Sequence, residues 1–221
     1  MVISHKHKFI YIKATKVAGT STQILLSNSC GKNDVVTPIG SKPQNYYPQN
    51  HIGFGSHMTA SEIAQRMGDN DFNSYYKFMT VRNPWDRVIS EFWWTIGGQG
   101  GSNQAFGKFN PAKEIPKGGE LIKRFRAWVR GVSIVPLCAW SHIKDTSILD
   151  DFIRYENLEK DTLRILNKFG IDAINILYPT EKSKFRISRK HYTEYYDDET
   201  RQIVAQKYAK DIEYFGYEFG E

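Results

Sequence analysis

A lysine followed by small and hydroxyl residues is the first group in the chain whose residue types and spacing could do chemistry. The group consists of Lys16, Ala18, Gly19, Thr20, Ser21 and Thr22. It lies after the apolar run Phe9–Ile12, at the start of a helical pattern. A small-residue turn at a helix N-terminus points backbone N–H groups and the positive end of the helix dipole at one spot. Together with the charge of Lys16, the turn predicts a site for a phosphate-like anion.

The order of residues in this turn separates it from the P-loop that binds nucleoside triphosphates. In that P-loop the lysine follows the second glycine, whereas Lys16 precedes Gly19. The turn therefore predicts an anionic ligand other than ATP.

A second group of polar residues begins where another strand pattern ends. Arg82 follows the strand pattern Tyr75–Val81, and ligands of open α/β sheets bind at the carboxyl ends of strands. Arg87 and Ser90 are three residues apart on the following helix, so they share a face. A guanidinium fork and a hydroxyl suit a second phosphate. Taken alone, the pattern also fits a strand-end arginine in a surface ion pair and a serine that faces solvent.

Strand and helix patterns alternate along the chain and must position both groups. The strand patterns are Phe9–Ile12, Tyr75–Val81 and Asp151–Tyr155. The helical patterns cover about 20–27, 60–67 behind a Thr59/Glu62 capping box, 85–95 behind Pro84, 121–130, 158–169 and 197–215. The alternation predicts an α/β, P-loop-like three-layer fold with a central, mostly parallel sheet flanked by helices. We expect a single domain over 1–221 with irregular insertions at about 31–56 and 97–119, the second of which could form a lid.

The composition sets further bounds. The chain has 221 residues, a hydrophobic fraction of 40% and a net charge of +6, which fit a globular fold and favour an anionic ligand. Cys30 and Cys138 show no metal or redox spacing, so we expect two reduced thiols. No segment reaches the ~20 apolar residues of a membrane helix, which leads us to expect a cytoplasmic protein.

Taken together, the two polar groups resemble the sulfotransferases that use 3′-phosphoadenosine 5′-phosphosulfate (PAPS), and most closely their carbohydrate (Golgi-type) branch. Lys16–Ser21 is similar to the family's 5′-phosphosulfate loop, and Arg82–Ser90 to its 3′-phosphate motif. Further similarities lie in His57–Ala60, Ile153–Leu158, His191–Tyr192 and Phe215–Tyr217. The resemblance is weakest over 31–56 and 97–150, and Thr15 stands where the family usually has proline.

The resemblance implies transfer of a sulfuryl group from PAPS to an acceptor hydroxyl on a sugar or glycan, with PAP as product and no metal. Lys16 would neutralise the leaving 5′-phosphate. Backbone N–H groups of Gly19–Ser21 and side chains of Thr20–Thr22 would hold that phosphate. Arg82 and Ser90 would hold the 3′-phosphate, which distinguishes this donor from ordinary adenine nucleotides.

A general base must accept the proton of the acceptor hydroxyl, and related carbohydrate sulfotransferases use a His or a Glu between the two phosphate motifs. His57 is the first candidate and His51 the second, while Glu62 fits a helix cap better. In relatives a basic segment near residue 190 closes over the donor, which makes Arg189 and Lys190 candidate phosphate contacts. A solvated charged loop is the alternative reading of that segment.

Two other functional classes stay open. One is a P-loop-type nucleotide kinase, and the other is a non-catalytic nucleotide- or polyanion-binding module. The resemblance favours neither, and it implies neither a nucleic-acid nor a membrane partner. If the chain is a trimmed Golgi enzyme, the location would be lumenal rather than cytoplasmic.

Overall fold

A computed structural model describes residues 1–40, 46–96, 118–172 and 190–221. The glycine-rich insertion predicted over 97–119 therefore lies outside the described residues up to position 117. Arg189 lies outside them as well.

The chain forms two compact units, each built from two stretches of sequence. Unit 1 comprises Met1–Val81 and Leu137–Glu181, and unit 2 comprises Arg82–Pro136 and Lys182–Glu221. The single-domain organisation expected from the sequence stays a prediction.

Unit 1 contains, within the described residues, a five-stranded sheet in the order β3-β1-β2-β4-β7. Its strands are β1 (Val2–Ser4), β2 (Phe9–Ile12), β3 (Val35–Val36), β4 (Tyr76–Val81) and β7 (Asp151–Arg154). β2 runs parallel to β4, and β4 runs parallel to β7. β1 is antiparallel to both β2 and β3. The α/β class is confirmed, with a mixed sheet whose parallel part carries the predicted motifs.

Burial explains why these segments form strands. Phe9, Tyr11, Phe78 and Ile153 pack with residues of the helices on one face of the sheet. Ile10, on the alternate face of β2, is also fully buried. Continuous apolar runs of this kind are typical of strands covered on both faces.

The helices of unit 1 lie around this sheet, and a small hairpin accompanies them. The helices are α1 (Gly19–Ser27), α2 (Ala60–Met67), α3 (Asp69–Asn73), α6 (Cys138–Ser141) and α7 (Leu158–Lys168), and the hairpin strands are β5 (His142–Ile143) and β6 (Thr146–Ser147). The Thr59/Glu62 capping box predicted before α2 is confirmed, because each residue bonds the backbone of the other.

Asp34 fastens the β1–β2 turn of unit 1. Its carboxylate accepts the Ser4 hydroxyl at 2.7 Å and the backbone N–H groups of His5, Lys6 and Gly31 at 2.8, 3.1 and 2.8 Å. Burial by itself would raise the pKa of this carboxyl, but the hydrogen bonds bring the pKa below its ordinary value. An anion is thus held in unit 1 mainly by N–H donors.

Unit 2 is helical in its described residues. Its helices are α4 (Pro84–Ile96), α5 (Gly118–Gly131), α8 (Asp198–Lys207) and α9 (Ala209–Phe215), with a 3-10 turn at Tyr192–Tyr195. Their core is rich in aromatic rings. The face predicted for α5 is confirmed, since Leu121, Phe125, Trp128 and Val129 are all buried.

Several predicted boundaries were wrong. β1 and β3 were missed. Gly118 and Gly119 belong to α5 rather than to the preceding loop. The helix predicted over 197–215 is two helices, because the backbone leaves the helical conformation at Tyr208 (φ −116°).

Candidate active site

The turn between β2 and α1 has an unusual backbone. Lys16 and Ala18 both adopt left-handed conformations, with φ of 65° and 59°. For residues with a side chain this costs roughly 1–2 kcal/mol each. Ala18 is the N-cap of α1 and offers no side-chain oxygen to the first N–H groups, and the first turn carries no acidic residue. The helix N-terminus therefore keeps its positive potential beside the half-buried Lys16.

Gly19 is closely packed against the residues that precede the turn. A Cβ atom at this position would lie 2.9 Å from Cγ of Lys13 and 3.4 Å from the Ala14 carbonyl oxygen. The Lys13 stem thus covers Gly19, and its amine continues to the Gln23 side-chain oxygen at 2.7 Å. Lys13, before the turn, therefore contacts residues of α1 that follow the turn.

Thr22 is buried behind the turn rather than displayed by it. Its hydroxyl lies 3.4 Å from both the Ala18 carbonyl oxygen and the Thr80 hydroxyl on β4. Thr80 is in turn 2.9 Å from the Tyr11 hydroxyl. Of the three hydroxyl residues predicted to hold a phosphate, Thr22 is therefore the one that ties the turn to the sheet.

His57 is joined to the end of β2 by its ring. Its Nδ1 lies 2.9 Å from the Lys13 carbonyl oxygen, which can only accept, so Nδ1 carries the proton and Nε2 is the basic nitrogen of the neutral ring. The backbone carbonyl of His57 accepts from the Trp140 indole at 3.3 Å. The residue is exposed, so this geometry suits a general base.

The other two candidate bases have weaker support. His51 comes two residues after Gln49, which pairs with Val36 on β3, the strand at the edge of the sheet. The Glu62 carboxylate accepts the Thr59 N–H at 2.7 Å and the Thr59 hydroxyl at 2.9 Å. These hydrogen bonds lower the pKa of Glu62, which weakens it as a base.

The second motif starts one residue after β4, in unit 2. Asn83 caps α4, since its side-chain oxygen accepts the Trp85 N–H at 3.1 Å and Pro84 occupies the first helical position. The Arg82 guanidinium bonds Asp86 through Nε at 2.8 Å and Nη2 at 2.6 Å, with both side chains nearly buried. Asp86 is four residues before Ser90, so the pair lies on the helix face that carries Ser90.

Arg87 lies in the interior of unit 2. It is 2% exposed. Burial lowers the pKa of its guanidinium to about 10, although the negative charge of Asp211 acts to raise that pKa. A guanidinium in this environment supports the packing of the helices. Of Arg87 and Ser90, the half-buried Ser90 is therefore the more accessible polar group.

The profile of the sulfotransferase family matches residues 1–218. The chain belongs to the sulfotransferase family. No solved structure gives a significant match to the chain.

The curated relatives of this sulfotransferase include three proteins named carbohydrate sulfotransferase 10. The Xenopus laevis protein is 23% identical over 248 residues, covering 97% of this chain and 66% of that protein. The Gallus gallus protein is 24% identical over 254 residues, covering 97% and 65%. The Danio rerio protein is 34% identical over 90 residues, covering 41% and 23%. The chain thus spans less than two thirds of the length of each relative.

Lys190 is the described part of the basic segment that the sulfotransferase resemblance pointed to. Its amine lies 3.3 Å from the Glu194 carboxylate, and both side chains are about half exposed. A surface ion pair of this kind is weak, so Lys190 can exchange Glu194 for another anion.

Two structural partners of the predicted site residues were missed from the sequence. Asp86 could have been found, because an Arg and an Asp four residues apart at a helix start are a recognisable pair. The carbonyl of Lys13 could not, because it is 44 residues from His57 in sequence.

Within the described ranges no helix is long and apolar enough to cross a membrane. Over the same part of the chain, no cluster of three or more His, Cys, Asp or Glu side chains could hold a metal ion. The cytoplasmic location and the metal-free reaction stay predictions.

Proposed function

We propose that this chain transfers a sulfuryl group from PAPS to a hydroxyl group of a carbohydrate. The observation that carries the proposal is the N-terminus of α1, which has neither a capping side chain nor an acidic residue and lies beside Lys16 at the end of a parallel strand. This donor set fits a phosphate or phosphosulfate. Membership of the sulfotransferase family supports the donor, and the name of the relatives, carbohydrate sulfotransferase 10, supports the acceptor class.

The proposal gives the two phosphates of the donor separate partners. The backbone N–H groups of Gly19–Ser21, with Lys16, bind the 5′-phosphate. Arg82 and Ser90 bind the 3′-phosphate, for which Arg82 exchanges part of its bonding to Asp86. Lys190 and Arg189 add positive charge to the same ligand.

The donor supplies an activated sulfuryl group whose sulfur–oxygen bond to the 5′-phosphate breaks as the acceptor oxygen bonds to sulfur. Nε2 of His57 takes the proton of the acceptor hydroxyl, while Nδ1 stays bonded to the Lys13 carbonyl. Negative charge grows on the leaving phosphate oxygen, where Lys16 and the α1 N–H groups stabilise it. Positioning and electrostatic stabilisation are the main contributions of the chain.

Calorimetry with PAP and AMP tests the donor assignment. Because the two ligands differ only in the 3′-phosphate, we expect PAP to bind at least tenfold more tightly, a difference worth about 1.4 kcal/mol. Binding of PAP no tighter than that of AMP would sink the proposal.

A transfer assay separates the remaining classes. Labelled PAPS is incubated with carbohydrate acceptors in the presence of EDTA, and label in the carbohydrate is measured. A nucleotide kinase needs divalent metal to transfer phosphate from ATP, and a non-catalytic binding module transfers nothing. Transfer that persists in EDTA favours the sulfotransferase over both.

A further inference from the structure

Phe219 of unit 2 lies among three aromatic side chains and a guanidinium that we call the Phe219 box, formed by Trp85, Tyr192, Tyr196 and Arg201. The centroid of the Phe219 ring is 5.4, 5.6 and 5.7 Å from the three aromatic rings, at interplanar angles of 77°, 85° and 88°. The guanidinium carbon of Arg201 is 5.3 Å from the same centroid. Edge-to-face and cation–π contacts of this geometry are attractive. Phe219 is thus held from several sides, although it is only half-buried.

Hydrogen bonds fasten the main chain on either side of Phe219. The Asn83 amide donates to the Glu218 carbonyl at 2.8 Å. The Gly220 N–H donates to the Tyr192 hydroxyl at 2.6 Å. Asn83 is also the N-cap of α4, so the C-terminal segment is bonded directly to the residue that begins this helix.

Trp85 is fixed by two more hydrogen bonds. Its indole N–H donates to the Arg201 carbonyl at 3.0 Å, and its carbonyl accepts the Tyr196 hydroxyl at 2.8 Å. The first turn of α4 is therefore held by residues that come more than 100 positions later in the chain. Because a helix moves as a unit, the position of this turn determines where Ser90 and Asp86 lie.

We infer that Phe219 is a positioning residue for recognition of the 3′-phosphate, an inference that rests on the proposed function. Phe219 acts through Trp85, which it contacts directly and which comes three residues after Arg82. Without its ring, the first turn of α4 loses a packing surface, and the hydrogen bonds of Arg82 and Ser90 to the ligand lengthen. A binding constellation has to be held to within about 0.5 Å by its supporting residues.

The same box also supports the segment that follows the basic cluster. Tyr192 comes two residues after Lys190, and Tyr196 shares the contact with Phe219. Arg126 holds this segment from α5, through hydrogen bonds of 3.1 Å to the carbonyls of Tyr195 and Tyr196. A change at Phe219 therefore reaches two groups of proposed donor contacts, of which the Arg82/Ser90 group separates PAP from AMP.

The test compares PAP and AMP affinities in Phe219→Ala and in the unchanged protein. We expect the dissociation constant for PAP to rise about tenfold, the scale of one lost aromatic pair, while that for AMP changes less than twofold. Phe219→Tyr should restore most of the PAP affinity. Tyr214→Ala, which removes a partly exposed ring from α9 outside the box, should change neither constant.

A second variant covers the case in which Phe219→Ala does not fold. Tyr192→Phe keeps the ring and removes the hydroxyl that accepts the Gly220 N–H, so we expect a smaller loss in the same direction. Equal weakening of PAP and AMP, or no change in a folded variant, overturns the positioning role alone. If the unchanged protein does not prefer PAP to AMP, the proposed function fails, and this inference fails with it.

Discussion

The two proposed anion-binding motifs are built from different chemical groups. The turn of unit 1 relies on backbone N–H groups, small residues and a left-handed main chain at Lys16 and Ala18. The motif of unit 2 relies on a charged side chain, Arg82, which is held in place by Asp86. The first needs space and backbone geometry, whereas the second needs partners that keep a nearly buried charge where it is useful.

The comparison indicates how each motif can fail. A backbone cradle is damaged by added atoms, because substitutions other than proline leave its N–H donors in place. A side-chain site is damaged by lost partners, because an unpaired buried charge is costly. Asp34 is a carboxylate of the chain itself that is held by backbone donors, through three N–H groups.

The largest effect should come from Lys16→Ala, which removes the charge but leaves the backbone cradle of unit 1. We expect kcat to fall about 10³-fold, because the lost group stabilises charge that develops at the leaving oxygen. Turnover with PAPS is the measurement, and circular dichroism checks the fold. Lys32→Ala, at an exposed lysine of the same unit, should keep its rate. A near-normal rate for Lys16→Ala would contradict the assigned role.

His57→Asn tests whether the unit 1 turn also holds the base. We expect kcat to fall about 10²-fold, in the usual range for a lost general base, with little change in PAP affinity. His51→Asn is the matched control and should lose less than threefold in rate. A larger loss of kcat in His51→Asn than in His57→Asn would assign the role of general base to His51.

Asp86→Asn tests the partner-held charge of unit 2. We expect the free energy of unfolding to fall by about 2 kcal/mol, because a nearly buried guanidinium loses its carboxylate. PAP should then raise the melting temperature of the variant more than that of the unchanged protein, since a phosphate replaces the missing charge. Asp198→Asn, at an exposed position, is the control. Equal stabilisation of both proteins by PAP would argue against Arg82 as a phosphate ligand.

Asp34→Asn tests the backbone-held carboxylate of unit 1. The hydrogen bonds lower the pKa of Asp34 in the folded state, so its contribution is present above the ordinary carboxyl pKa and is lost as the pH falls through the folded-state value. We expect the variant to be about 2 kcal/mol less stable at pH 7. Urea unfolding at lower pH should show the difference shrinking. A difference that grows on acidification would show that the sign is wrong.

Gly19→Ala should give the smallest effect on stability and should weaken the binding of both nucleotides. The added Cβ displaces the Lys13 stem, and the better helix propensity of alanine offsets part of that strain, which leaves a loss of about 1 kcal/mol. AMP and PAP affinities should fall together, because both ligands carry the 5′-phosphate. A loss of affinity confined to PAP would indicate that the turn binds the 3′-phosphate instead. Gly31→Ala is the control, because an added Cβ there would lie no closer than 3.4 Å to the Lys6 side chain.

Local signals in the sequence predicted much of the fold. The Thr59/Glu62 box, the Asn83-Pro84 helix start and the apolar run Phe9–Ile12 each reflect interactions within a few residues, and each element is present. β1 and β3 were missed because three- and two-residue strands carry no periodicity and exist only through pairing with distant residues. The break at Tyr208 depends on tertiary packing.

The candidate site was predictable as motifs but not as a network. Residue types and spacing pointed to Lys16 and Arg82, because a phosphate ligand requires positive charge and hydrogen-bond donors, which these motifs supply within a few residues. The supports of those residues come from far along the chain, as with Phe219 beside Trp85. Sequence spacing carries no information about such contacts, and only the folded chain brings them together.

The pair Asn83-Pro84 has a consequence for the chemical durability of the protein. Asparagine deamidates when the backbone nitrogen of the next residue attacks the side-chain carbonyl and loses its hydrogen. The nitrogen of Pro84 carries no hydrogen, so this route is closed for Asn83. The amide that bonds the Glu218 carbonyl is therefore protected from the ageing that would turn a donor into a repelling carboxylate during long storage.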